Sequence, residues 1–351
     1  MESREIYQKT TRHFLQPVTG LLDDPEVSEV LINGRQSIYA ERSGKLQLVP
    51  NCEFESEQAL LAAARNIAEY VGRPIRRGTH SIDARLPDGS RVHIILPPSS
   101  RNGVCISIRK FKDSSFSLSK LVEYQTLSTE AAELLDQAVQ QHRNIIISGG
   151  TGSGKTSLLN ALSGAIDPSE RIVVIEDSSE LQLQQPHTIC LEAQNGEADG
   201  VGKVSIRDLF VDSLRMRPDR IVVGEVRRGE ALDLIQSMIS GHSGALTTVH
   251  ASTPRDAATR LETLSLMAGV EMPLHVARSQ VASAIQVVVQ INRQSDGSRK
   301  VQSISECLGL DDQQNYRFQH LFQQQETADG QLALRPTGIE AEFLKKTNAV
   351  A

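Results

Sequence analysis

The sequence has no tryptophan, only 4% aromatic residues, four cysteines in 351 residues and no surplus of positive charge. Each scarcity excludes something. Proteins that track single-stranded nucleic acid usually line a basic groove with aromatic stacking platforms; with few aromatics and a net charge of −6, direct nucleic-acid binding is not expected. Cys52, Cys105, Cys190 and Cys307 are scattered with no C-x-x-C pair, which argues against a zinc site or a disulfide framework and fits reduced thiols in a cytosolic protein. Long hydrophobic runs are missing as well: Val287-Val288-Val289 is typical of the longest, whereas a bilayer-spanning helix needs roughly 20 apolar residues. The first residues carry Glu2, Arg4, Glu5 and Lys9 without an apolar stretch behind them, so no secretory signal is expected and the protein should stay in the cytoplasm.

What is present has the composition of a soluble globular protein, long enough for two or more cores. Residues 1–20 read as a polar N-terminal arm, either a short helix or a loose segment. Residues 21–111 read as a small α+β domain. Three short apolar runs from Val27 to Leu48 are separated by Asn33-Gly34 and Ser43-Gly44, turn chemistry that needs positive φ. Ser56 is placed to cap a helix with Leu60, Leu61, Ala64, Ile67, Ala68 and Val71 at helical spacing, stopped by Gly72 and Pro74. Strands follow at Ile82–Leu86, Val92–Leu96 and Val104–Arg109, and in the last the alternation puts Arg109 on the face away from the apolar set. The Lys- and Ser-rich stretch 112–120 reads as a linker. Residues 121–310 then alternate helices with β-branched strands at Ile145–Ser148, Arg171–Glu176, Arg220–Val223, Ala245–Val249 and Ile285–Asn292. That is the rhythm of a mostly parallel sheet with helices on both faces, whose ligands bind at the carboxyl ends of the strands. Residues 311–351 read as a hairpin and a terminal helix near Glu340–Lys346.

The chemistry concentrates at those strand ends. Ile145-Ile146-Ile147 runs into Gly149-Gly150-Thr151-Gly152-Ser153-Gly154-Lys155-Thr156, a Walker A loop in its strand-to-helix context. Glycines let the backbone N–H groups converge on one point, and the following helix adds its positive end, so the loop favours a polyphosphate. These residues with Ser157 form the expected ATP-binding set; Lys155 should reach the β- and γ-phosphates and Thr156 should hold Mg²⁺. The strand Arg220–Val223 ends in Gly224-Glu225, an acid placed for the Mg²⁺ side. Another strand ends in Glu176-Asp177, with Glu180 beyond. Glu180 is the candidate to polarise water, with Glu176 or Asp177 in support. Gly241-His242-Ser243-Gly244 leads into a strand that delivers His250 at its end, where a histidine could donate to the γ-phosphate and sense its loss.

In this order SGGTGSGKT, VVIEDSSELQL, LRMRPDRIVVGEV and GHSGALTTVHA resemble the ATPases of type II and type IV secretion and of type IV pili, which name the last three elements Asp box, Walker B and His box. IDARLPDGSRVHIILPP, ISIRKF, PRDAATRLETLSLMAG and RPTG look like the CpaF-type ATPases of tight-adherence (Flp/Tad) pilus assembly, so that the resemblance runs from about Val27 to Phe343. It implies a RecA-like P-loop core and a homo-hexameric, Mg²⁺-dependent ATPase motor, docked on an inner-membrane platform protein at the inner face of the cytoplasmic membrane. It also implies that the nucleotide lies between the two domains of a subunit, with Arg91 and Arg109 meeting the γ-phosphate. Glu180 matches the Asp-box glutamate, Glu225 the Walker B glutamate, and His242 and His250 the His-box pair. Arg228 stands where a smaller residue is more usual, and the N-terminal arm is short. An ATPase of a conjugative or effector-exporting type IV secretion system would carry the same residues. A nucleic-acid translocase on a similar core is disfavoured by the acidic balance and scarce aromatics.

Overall fold

The computed structural model describes residues 2–42, 44–110, 117–195, 202–326 and 332–347. The chain divides into two compact units, Met1–Asp113 and Ser114–Ala351. The division falls inside the stretch read as a linker; residues 111–116 lie outside the described set, and Ser117 already caps the next helix by accepting from the Lys120 N–H.

In the first unit the helices are α1 (Glu2–Phe14), α2 (Thr19–Asp23) and α3 (Glu57–Tyr70), and the strands are β1 (Val27–Asn33), β2 (Ile38–Arg42), β3 (Lys45–Leu48), β4 (Ser81–Arg85), β5 (Arg91–Ile95) and β6 (Cys105–Arg109). The strands form one antiparallel sheet in the order β3-β2-β1-β6-β5-β4. Val30, Ile32, Val92, Ile94, Ile106 and Ile108 point to one face and are buried in a core with Leu60, Ala64 and Ile67 of α3, as period-2 and 3.6 patterns require. Ser56 caps α3 through the Ala59 N–H at 3.1 Å. The opening residues, expected as an arm, pack as part of this unit: α1 lies against α3, Thr11 donates to the buried Asn66 at 3.0 Å, and Leu15 and Val18 are buried.

The second unit contains α4 (Leu118–Glu123), α5 (Thr129–Gln140), β7 (Ile145–Ser148), α6 (Lys155–Ser163), β8 (Ile172–Glu176), β9 (Thr188–Glu192), β10 (Gln194–Asn195), β11 (Lys203–Val204), α7 (Ile206–Ser213), β12 (Arg220–Val223), α8 (Glu230–Ile239), β13 (Leu246–Val249), α9 (Pro254–Leu266), α10 (Leu274–Ala284), β14 (Val287–Arg293), β15 (Arg299–Leu310), β16 (Tyr316–Glu326), β17 (Leu332–Pro336) and α11 (Glu342–Thr347). Its nine-stranded sheet has the order β17-β16-β15-β14-β7-β13-β12-β8-β9. From β14 to β9 every pairing is parallel; from β14 to β17 every pairing is antiparallel. Alternate residues of the parallel strands enter opposite cores: Ile145, Ile147, Ile172, Val174 and Val222 face one layer, and Ile146, Val173, Ile175, Ile221 and Val223 face the other. Both faces are therefore covered, as a parallel sheet demands.

Several features depart from the sequence reading, among them the parallel edge strand β9 and the short antiparallel pair β10–β11, neither of which was anticipated. The strand β15 was not anticipated, and its register shifts against both β14 and β16, so bulges blur the alternation that would announce it. The C-terminal hairpin, expected as a separate piece over 311–351, instead continues the large sheet through β15, and the turn expected at Asp329-Gly330 lies outside the described residues.

At the amino ends of the parallel strands a buried ion pair fixes the register. Arg220, fully buried at the start of β12, pairs with Glu170 and donates to Val139 O at 2.7 Å and Gly244 O at 3.3 Å. Gly244 has φ +80°, and a Cβ there would lie 2.2 Å from the Arg220 guanidinium. Removing one partner of such a pair strands a buried charge, which typically costs about 3–5 kcal/mol. Glu170→Ala should therefore lower unfolding stability by about 3 kcal/mol or more, read from chemical denaturation of the whole chain; a change below about 1 kcal/mol would contradict this account.

Candidate functional site

Since β7, β13, β12 and β8 run parallel, their last residues share one edge of the sheet. That edge carries the Walker loop after Ser148, His250 after Val249, Gly224-Glu225 after Val223, and Glu176 at the end of β8. Thr248 Oγ1 donates to Gly224 O at 2.8 Å and the Gly149 N–H to Val249 O at 3.3 Å, so neighbouring loops are stitched to each other's strands.

The loop is shaped to hold a polyphosphate. Gly152 and Gly154 have φ of +69° and +97°, which L side chains rarely adopt. A Cβ on Gly149 would sit 2.2 Å from Ile291 O and 2.5 Å from Ser153 Oγ, whereas Gly150 and Gly152 have nothing within 4 Å of that position. The loop is thus packed tightly at its base and open above. Lys155 opens α6 and is buried at 8% exposure; its Nζ donates to Gly149 O at 3.1 Å and Gly150 O at 2.9 Å. Burial pushes the Lys155 pKa down, and the charges of Glu225 and Glu180 pull it back. An ammonium desolvated in this way gains from an incoming anion. Thr156 follows in the first turn of α6, half-buried. This donor set fits ATP with Mg²⁺: loop N–H groups and Lys155 for the phosphates, Thr156 and Glu225 for the metal.

The acids divide by role. Glu176 is buried, and its Oε1 accepts from the Glu180 N–H at 2.8 Å and the Leu181 N–H at 3.0 Å. It braces the turn that carries Glu180, as expected of a support. The same segment is fastened to α6 by the Gln182 N–H donating to Asn160 Oδ1 at 2.9 Å. Gly224 leaves room for Glu176, whose side chain would lie 3.0 Å from a Cβ there. Glu225 is largely buried and contacts His250 Nε2 at 2.6 Å. Arg227, two residues on, pairs with Glu225 and reaches Asp177 at 3.2 Å. Sequence reading passed over Arg227, although a cation two residues beyond a strand-tip acid was a legible signal. Its guanidinium screens two carboxylates that would otherwise repel each other.

His242, read as a nucleotide contact, is not brought to this edge. It precedes β13, so it lies at the opposite end of the strand from His250. The four residues of β13 alone span about 13 Å. Its N–H donates to Ser237 O at 3.1 Å, tying the loop to α8. Arg91 and Arg109 belong to the first unit, directly opposite each other on β5 and β6. Arg85 of β4 pairs in register with Arg91, and Glu29 of β1 with Arg109. Three arginines thus form one cross-strand row, away from the apolar face. Arg85 was missed in the sequence, where only its alternation with Ile82 and Leu86 marked it.

A sequence profile of the family described as "Type II/IV secretion system protein" matches residues 12–341. Among curated proteins, the Mycobacterium tuberculosis (strain H37Rv) protein named "Putative conjugal transfer protein Rv3659c" is 35% identical over 292 residues, covering 81% of this chain and 82% of that one. The type IV secretion system protein VirB11 of Bartonella quintana is 31% identical over 331 residues, covering 83% and 91%. Among solved structures, the Legionella pneumophila ATPase DotB shares the fold with a TM-score of 0.59 at 19% identity, covering 87% of this chain and 82% of that one.

His250 offers a direct check on the geometry. Burial and the Lys155 charge lower its pKa, against the opposing pull of Glu225. The unfolded chain therefore takes up a proton here before the folded one. Stability should fall as pH drops below the ordinary histidine value and level off below the depressed one. An NMR titration should place the His250 midpoint below about 6.5, Lys155→Ala should raise it, and Glu225→Gln should lower it further; the opposite signs would mean the three groups are not in contact.

Proposed function

The chain belongs to the type II/IV secretion system protein family, and from that premise we propose that it is an ATP-hydrolysing motor of a pilus-assembly or secretion machine. The observation that carries this reading is the convergence on one sheet edge of a buried phosphate-loop lysine, Glu225 and the braced turn holding Glu180. Phosphoryl transfer to water needs positioning and charge stabilisation more than covalent chemistry from the protein. The loop N–H groups and Lys155 hold the β- and γ-phosphates, Glu180 orients the attacking water, and His250, in contact with Glu225 and hydrogen-bonded to Lys155, reports on the terminal phosphate. Mg²⁺, when bound, neutralises charge on the phosphate oxygens. Arg91 and Arg109 are the groups proposed to add positive charge in the transition state, a contribution worth on the order of 10³–10⁵ in rate where arginine fingers act. Loss of the terminal phosphate would release that hold and turn chemistry into rigid-body motion.

The proposed assembly is a homo-hexamer working on a platform protein at the inner face of the cytoplasmic membrane. No helix among the described residues is long and apolar enough to cross a membrane itself. The Flp/Tad reading is supported by the segments IDARLPDGSRVHIILPP, ISIRKF, PRDAATRLETLSLMAG and RPTG. A type IV secretion or conjugative role is supported by the names of the relatives above.

Lys155→Ala should reduce ATP turnover at least about 10²-fold with thermal stability retained; an unchanged rate would sink the assignment. A Glu225→Gln chain loaded with ATP and used to pull partners from membranes should recover a polytopic platform protein, with pilin in the pilus reading and with conjugation or effector-export components in the other.

A further inference from the structure

We propose that Arg299, with Arg293 behind it, is a positioning residue that grips the nucleotide at its α-phosphate, on the side of the phosphate loop away from the acids. This deepens the ATPase reading and rests on it. The sheet order sets the direction. β7 lies between β13 and β14; His250 and Glu225 come from the β13–β12 side, so the terminal phosphate points there. The remainder of a polyphosphate laid in the loop must then run toward β14. On that side β14 and β15 form a hairpin whose turn closes through the Gln294 N–H to Ser298 O at 2.8 Å and the Gly297 N–H to Gln294 O at 3.0 Å. β14 is parallel to β7, so this turn projects from the ligand-binding edge.

Arg299 is the first residue of β15 and lies against the loop. Its Nε donates to Gly152 O at 3.4 Å and its Nη1 to Gly297 O at 3.1 Å. Its stem packs over Gly154, with Cγ 3.3 Å and Cβ 3.6 Å from where a Cβ of that glycine would be. Gly154 is therefore glycine for two reasons, its φ of +97° and the arginine lying on it. The guanidinium is exposed, and it carries five N–H donors, more than these two carbonyls use. Arg293 stands directly opposite Arg299 in the register. Two like charges facing across a hairpin are unfavourable, and an anion between them and the loop would offset the repulsion. Arginine's planar fork matches two phosphate oxygens, which a lysine cannot reproduce. Because the α-phosphate is common to ATP and ADP, the contact should serve both and persist through hydrolysis.

The test is calorimetric affinity for ADP and for ATP, with steady-state turnover, for the full-length wild type, Arg299→Ala and Arg299→Lys. For Arg299→Ala we expect both dissociation constants to rise by about tenfold, the loss appearing in KM more than in kcat, since a charge-assisted hydrogen bond is worth about that factor. Arg299→Lys should recover only part of it, and it stands in if the alanine variant melts early. Unchanged affinity in both variants, or a loss in kcat alone with ADP affinity intact, overturns the inference while leaving the ATPase reading in place. A wild type that binds neither nucleotide overturns both.

Discussion

The parallel ladder joining β7, β13, β12 and β8 is the constraint on which the site depends. Four strands running the same way place four chain exits on one edge, and Ser148, Val249, Val223 and Glu176 are the residues at which they leave. The loop lysine, the strand-tip acids and His250 come from segments far apart in sequence. They meet because the register is held from the other end, where Arg220 and Glu170 join the starts of strands and Asn144 bonds to Gln286, Ala284 and Ala245. Shift one strand by one residue and every side chain on it changes face, which would turn Glu225 or His250 away from the loop.

Charge is balanced within that edge. Lys155 rests on loop carbonyls, His250 sits between Lys155 and Glu225, and Arg227 lies between Glu225 and Asp177. At 2.6 Å the His250–Glu225 contact is far shorter than the 3.4 Å to Lys155. Positive and negative groups alternate from Lys155 to Asp177. A polyphosphate entering such a site exchanges one set of partners for another and does not meet a bare field.

Much of this was legible in the chain. Short β-branched runs gave five of the six parallel strands within a residue or two, because burial on both faces leaves an uninterrupted apolar run; the edge strand β9, only half-buried, carries no such run and was not read. The Walker loop, Glu225, Glu180 and His250 could be placed from strand ends alone. His242 could not: the same histidine-rich stretch straddles a strand, and only direction says which end meets the ligand. β15 escaped because its bulges break the alternation, and with it Arg299 escaped too. The arginine row of the first unit needed cross-strand register, which alternation within one strand does not supply.

The central place of β7 has a further consequence. Three antiparallel strands, β15 to β17, lie beyond β14 on one flank, and β9 closes the other. Edge strands can lengthen, shorten or acquire insertions without altering the pairing two strands away. Additions at the outermost strands, β17 and β9, would therefore leave the interior ladder and the chemistry on its rim undisturbed.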